Sequence, residues 1–258
     1  MKKKSILIWS ISISAFIIFY MAFFPGISKE SAGVQSLMNS LPTEMLQAVG
    51  LRKGLSIGEL IGFFTITFTM AQLAMAIQSS NYGFSILSVE GRNQTGDFLM
   101  SKPVSRSKIY WSKFLASFIG LLITAATVSV ASFIALETFS GGQSYQRQYL
   151  LKLLATIPIF QTIFLSLGML ISVIFKRIKS VLGFSMSLSV GLFVIDAVRS
   201  VVGSDFLGLL SPYYYFEAGN ILKTGNYDLK LFAVAIAIIV VALPAGLFIY
   251  KRQDIDSV

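Results

Sequence analysis

The groups able to do chemistry in this 258-residue chain are 12 carboxylates, 21 lysine and arginine side chains and 10 tyrosines; histidine and cysteine are both absent. Disulfides, thiolate nucleophiles, imidazole bases and zinc sites built on Cys or His are therefore excluded. Three carboxylates stand in or beside long apolar runs. Glu59 begins one and Glu137 ends another, while Asp196 lies about 24 Å along a third that starts at residue 180, at about 1.5 Å per helical residue. All three fall near one boundary, so no acidic pair at membrane depth is available for hydrolysis. A proton- or ion-driven carrier would need ionisable groups deep in the bilayer, each costing at least about 2.5–3.5 kcal/mol to insert. Arg199 follows Asp196 by three residues on the same helix face, which reads either as an interfacial ion pair or as an outer gate contact.

The densest set of polar and charged groups lies in Ser88–Lys113, with Glu90, Arg92, Thr95, Phe98, Leu99, Pro103 and Arg106 at its centre. A helix over about 89–101 ends before Pro103, because the residue preceding proline is pushed out of the helical region. Ser105 then caps the next helix, which carries Ile109 and Tyr110 into an apolar run. The result is a short docking helix with apolar contacts at Phe98, Leu99 and Val104 and charges at Arg92, Lys102, Arg106 and Lys108. The bland alternative is a solvated loop whose cations snorkel to lipid. Gly91 and Gly96 imitate a phosphate loop, but Asp97 and Phe98 stand where Lys and Ser/Thr must be, so ATP is not held this way. Asn93-Gln94-Thr95 matches a glycosylation acceptor on the side that charge counting makes cytoplasmic.

The elements that position these groups are membrane helices. Apolar residues make up 55% of the chain, charged residues 13%, and mean hydropathy is +0.74, against about 45–50% apolar and about 25% charged in soluble domains. Apolar runs at 5–24, 58–79, 114–136, 150–175, 180–202 and 230–250 each have about the 20 residues needed to cross the hydrocarbon core. Lys2, Lys3 and Lys4 precede the first, which is too long for a signal peptide and lacks a small-x-small cleavage site. The N-terminus, the 80–113 and 176–179 connections and the C-terminus hold 13 Lys+Arg and 4 acids, whereas the other side holds 8 of each. The positive-inside rule puts the first set, with both termini, in the cytoplasm. The formal charge of +9 then faces anionic lipid rather than nucleic acid. With no linker and no internal repeat, residues 1–258 read as one polytopic domain.

On the opposite side, helical spacing of Val34, Leu37, Met38, Leu41, Met45, Leu46 and Val49 predicts short amphipathic surface helices, with Pro42 in a first turn. Pro212 and the rings of Tyr213, Tyr214, Tyr215 and Phe216 suggest an anchor at the headgroup boundary. The fifth run reads Gly183-x-x-x-Ser187-x-x-x-Gly191, a small-residue stripe that permits close helix approach. Packing inside one bundle and a seam between two copies both give this spacing. Ser10 with Ser14, and Thr65 with Thr69, share helix faces, but such hydroxyls are usually satisfied by carbonyls of the preceding turn.

The chain resembles the ABC-2 type permease subunits of ATP-driven exporters. The resemblance spans essentially the whole sequence and is most specific in Glu90, Thr95, Phe98-Leu99, Ser101-Lys-Pro-Val-Ser-Arg106 and Lys113. Ser40-Leu-Pro-Thr-Glu-Met-Leu-Gln-Ala-Val-Gly50 and Leu210-Ser-Pro-Tyr-Tyr-Tyr-Phe216, followed by Ile221-Leu222, add support. Two departures are Val89 in place of a second acid before Glu90, and the order Thr95-Gly96 rather than Gly-Thr. The resemblance implies an all-α integral membrane protein with six transmembrane helices, a cytoplasmic coupling helix and short external helices. It also implies a homodimer or related heterodimer that binds two copies of a cytoplasmic ABC ATPase through Glu90, Arg92, Thr95, Phe98, Leu99, Pro103 and Arg106. Gly183, Ser187 and Gly191 would form the seam. ATP and magnesium belong to the partner, and no cofactor, metal or catalytic residue is expected in this chain. The expected setting is a bacterial cytoplasmic membrane. The expected cargo is hydrophobic or amphipathic: a peptide, a peptide toxin or a lipophilic antibiotic. The rivals are an ion-coupled secondary transporter and a non-transporting immunity or scaffold protein.

Overall fold

The computed structural model describes residues 3–30, 33, 46, 50, 51, 55–92, 104–175, 178 and 180–252, with the side chains of 3 and 89–92 excepted. Among them the chain is helical, with no strand. Helix α1 covers Lys3–Met21 and α2 covers Phe24–Lys29; α3 covers Leu60–Arg92 and α4 covers Arg106–Phe139. The fourth crossing is made of α5, Arg147–Ala155, and α6, Ile157–Ile174, and α7 follows at Val181–Val202. Three short helices, α8 at Asp205–Leu210, α9 at Pro212–Tyr215 and α10 at Ala218–Thr224, precede α11 at Leu229–Arg252. Six of these segments are long and apolar enough to span a bilayer, and they coincide with the six predicted runs to within a few residues at most edges. The larger departures are at α3 and α4, which run past their predicted spans. The predicted surface helices between residues 31 and 54 lie almost wholly outside the described residues.

Capping follows the local sequence. The Ser105 hydroxyl accepts from the Lys108 amide at 3.4 Å and Ser180 accepts from the Gly183 amide at 3.1 Å, starting α4 and α7 where expected. Asp228 does the same for α11 through the Lys230 amide at 2.9 Å. The break between α5 and α6 places Pro158 in the first turn of α6, where its missing N–H leaves no intrahelical bond unmade. The Gln143 side chain reaches back to the start of α3, accepting from the Leu60 amide at 2.8 Å and donating to the Gly58 carbonyl at 3.2 Å.

Helix α3 is central. It packs on α6, α7, α1 and α4, and α11 closes the bundle against α6. In the most apolar stretches of spans two and four, 61% and 67% of residues are buried, against 17% in span five. The α3–α6 crossing is backbone on backbone at Gly83 and Gly168. A Cβ at Gly83 would stand 2.6 Å from the Leu165 carbonyl oxygen, and one at Gly168 would stand 2.9 Å from the Ser80 carbonyl oxygen. Close approach of this kind replaces the hydrophobic drive that is lacking between helices in lipid.

Candidate functional site

The first candidate region is the connection between α3 and α4. Helix α3 continues to Arg92, so the backbone of Glu90 and Arg92 belongs to its last turn rather than to a separate helix beginning at 89. Their side chains, and all of Thr95, Phe98, Leu99 and Pro103, lie outside the described residues. Arg106 opens α4, and its guanidinium donates to the Lys251 carbonyl at 3.0 Å. One turn later the fully buried Tyr110 hydroxyl donates to the Leu243 carbonyl, also at 3.0 Å. The start of α4 is therefore bound to the end of α11.

The second region is α7. Gly183, Ser187 and Gly191 are all exposed, flanked by Leu182, Met186, Val190 and Val194, which are 37–51% exposed. A Cβ at Gly191 would meet nothing within 4 Å, and one at Gly183 would meet only the capping Ser180 side chain. The stripe is thus not used inside this bundle. Instead Ser185 and Ser189, on the opposite face, are buried. Ser189 shares a hydrogen bond with Ser80 of α3 at 3.1 Å, and Ser185 donates to the Val181 carbonyl at 2.6 Å.

At the far end of α7, Asp196 and Arg199 form the ion pair that their spacing allows, at 2.9 Å. Both side chains are largely buried, at 22% and 11% exposed, and the guanidinium lies 3.9 Å from the centre of the Tyr214 ring. The rings of residues 213–216 do not form a headgroup anchor: Tyr213, Tyr215 and Phe216 are at most 5% exposed. Their polar atoms pair with protein groups. Tyr213 donates to the Ser189 carbonyl at 3.1 Å, Tyr215 donates to the Leu209 carbonyl, and the Phe216 carbonyl accepts from Gln72 at 3.1 Å. Burial pushes the Tyr215 phenol up to about 12, and burial together with the Asp196 carboxylate raises Tyr213 further, so both stay donors. The segment plugs the bundle end beside an open cavity of about 770 Å³ lined by Ser200, Tyr214, Glu217, Asn220, Asn226 and Asp228, among others.

Sequence reasoning also missed a polar junction of α1, α3 and α4. Ser10 and Thr124 hydroxyls lie 3.0 Å apart, and Gln78 donates to Thr124 at 2.8 Å and to Tyr82 at 3.3 Å. Ser10 thus bonds across helices, whereas Thr65 and Thr69 bond back to carbonyls of Ile61 and Thr65 as expected. No group of three or more carboxylates that could hold a metal occurs among the described residues. The arrangement is one of helix contacts, apolar faces and a connection between two long helices, which suits conformational change rather than bond making.

A family model described as ABC-2 family transporter protein matches residues 2–255. The chain belongs to the ABC-2 family. It is therefore a permease, the multi-pass membrane subunit of an ABC transporter, a kind of subunit that moves cargo rather than catalysing a reaction and that generally works with an ABC ATPase. No curated protein matches the chain.

Proposed function

We propose that this permease is half of an ATP-driven exporter of a bacterial cytoplasmic membrane, that its termini and 93–103 segment face the cytoplasm, and that two separately encoded ATPase subunits dock on that segment. The observation that carries this reading is the length of α3 and α4. They contain 33 and 34 residues, about 50 Å each at about 1.5 Å per residue, against a hydrocarbon core of about 30 Å. Most of their excess over the predicted spans lies at the ends that flank residues 93–103, which supports docking of a soluble subunit there. ATP and magnesium would be held by that subunit.

The exposed stripe of Gly183, Ser187 and Gly191 supports a seam with a second copy, because among the described residues nothing covers it. Half-buried Ile66, Met70 and Ile77 recur on one face of α3 and favour an apolar or amphipathic cargo such as a peptide or lipophilic antibiotic. The Asp196–Arg199 pair with Tyr214 would brace the outer end of that route.

The test is purification of the permease with its membrane partners, followed by assay of ATP hydrolysis with amphipathic peptides added. A bound ATPase whose hydrolysis rises with one of them is the expected result. Transport that needs no ATPase and stops when the proton gradient is collapsed would overturn it in favour of a secondary carrier.

Two further outcomes follow. With single cysteines in this cysteine-free chain, an impermeant thiol reagent added to intact cells should label Asn226→Cys and spare Asn93→Cys; the reverse pattern would invert the topology. Cysteine at Ser187 should crosslink between copies in resting membranes, and Gly191→Leu should reduce that crosslink at least about tenfold by adding bulk where the helices meet. Absence of crosslinks through a full turn of α7 would remove the seam.

A further inference from the structure

The two contacts that bind α4 to α11 do more than close the bundle. Helix α11 contains Pro244, whose missing N–H leaves the Val240 carbonyl without its helical donor and weakens the helix at that step. Directly at this point the Tyr110 hydroxyl donates to the Leu243 carbonyl. Gly246 makes the approach possible, since a Cβ there would stand 2.7 Å from the Tyr110 oxygen. The Tyr110 ring is fully buried and packs against Tyr250, with centroids 5.9 Å apart. Four residues before Tyr110, on the same face of α4, Arg106 donates to the Lys251 carbonyl, one of the last-turn carbonyls that no intrahelical amide can satisfy. The two contacts therefore bracket residues 243–251, the section of α11 that follows the weak step. Arg106 also begins α4 immediately after the 93–105 connection.

We infer that Tyr110, seated over Gly246 and backed by Arg106, latches the end of span six to the first turns of α4, so that displacement of the coupling segment swings residues 244–252 about Pro244. Tyr110 and Gly246 are positioning residues: they touch neither cargo nor ATPase. The inference rests on the proposal that the 93–103 segment receives the ATPase stroke.

The experiment uses the full-length permease with its copurifying ATPase in lipid nanodiscs, and spin labels on introduced cysteines. One pair, Val130→Cys with Ile174→Cys, reads movement of α4 relative to α6; the other, Val130→Cys with Lys251→Cys, reads α11 against α4 and keeps the Lys251 carbonyl. Val130 and Ile174 are apolar positions at least half exposed, and Lys251 is exposed too. On trapping with ATP and vanadate, the first pair should shift while the second holds its separation. In Tyr110→Phe, which keeps the ring, and in Gly246→Ala, which displaces the hydroxyl, the second pair should shift on trapping as α11 lags behind. An unchanged second pair in both variants, with each variant matching the parent distances before nucleotide, would overturn the latch. So would a second pair that already shifts in the parent. A first pair that never shifts, despite bound ATPase, overturns the coupling reading itself and the latch with it.

Discussion

Gly83→Leu abolishes accumulation of folded permease, and Gly168→Val does nearly the same. At both positions the added Cβ alone meets backbone of the facing helix at under 3 Å, the Leu165 carbonyl oxygen in one case and the Ser80 carbonyl oxygen in the other. Backbone cannot rotate aside as a side chain can, so α3 and α6 must separate. Separation opens the crossing on which the buried Phe84, Leu165 and Met169 depend, and it breaks the 3.3 Å hydrogen bond from Ser172 to the Phe84 carbonyl. Overpacking a tight core costs about 1–3 kcal/mol and more where backbone has to shift; for leucine at position 83 we expect more than about 3 kcal/mol, a large part of the about 5–15 kcal/mol that holds a typical domain folded. The measurement is the yield of monodisperse protein after detergent extraction, with Gly26→Ala as comparison. That substitution meets open space and should leave the yield unchanged. Parent-like yield of Gly83→Leu would mean that the two helices do not cross as described.

Phe98→Asp combined with Leu99→Asp removes ATPase from the purified permease while leaving insertion intact. If these side chains enter an apolar socket on the partner, each aspartate must either desolvate its charge or be protonated, and an uncompensated buried charge costs about 3–5 kcal/mol. At about 1.4 kcal/mol per tenfold change, association should weaken by at least about 100-fold. Asn93→Asp adds the same kind of charge to the same segment away from the apolar pair, so it should retain most of the ATPase. Copurification measured from membranes expressing both subunits decides the matter. If the double substitution keeps ATPase bound and hydrolysis responsive to cargo, the 93–103 segment is not where force enters.

The positions of the crossings were legible to within a few residues at most edges, though not where α3 and α4 run on past their spans. Transfer into hydrocarbon depends on local composition summed over about 20 residues, and no distant contact reverses it. Ser105 was legible as a cap for the same reason, since a cap bonds within its own turn. The family was legible too: the resemblance carried by the residues from Glu90 to Lys113 agrees with the family model that matches residues 2–255.

Which face each helix turns inward was settled only by the tertiary structure. In a soluble helix the apolar stripe marks the core, but a membrane helix is apolar toward lipid and toward protein alike, so periodicity is silent. The Gly183-Ser187-Gly191 stripe was visible in sequence, yet whether it packed inside the bundle was not; it lies outside, while Gly83 and Gly168, 85 positions apart, make the tight crossing. The rings of 213–216 carried the composition of an interfacial anchor, yet Tyr213, Tyr215 and Phe216 are buried, with the Tyr213 and Tyr215 hydroxyls donating to the carbonyls of Ser189 and Leu209. Arg106, read as a contact for a partner, also caps the end of span six. Local composition determined where this chain crosses the membrane; the pairing of its polar and small residues depended on which helices met, and that is a property of the assembled bundle.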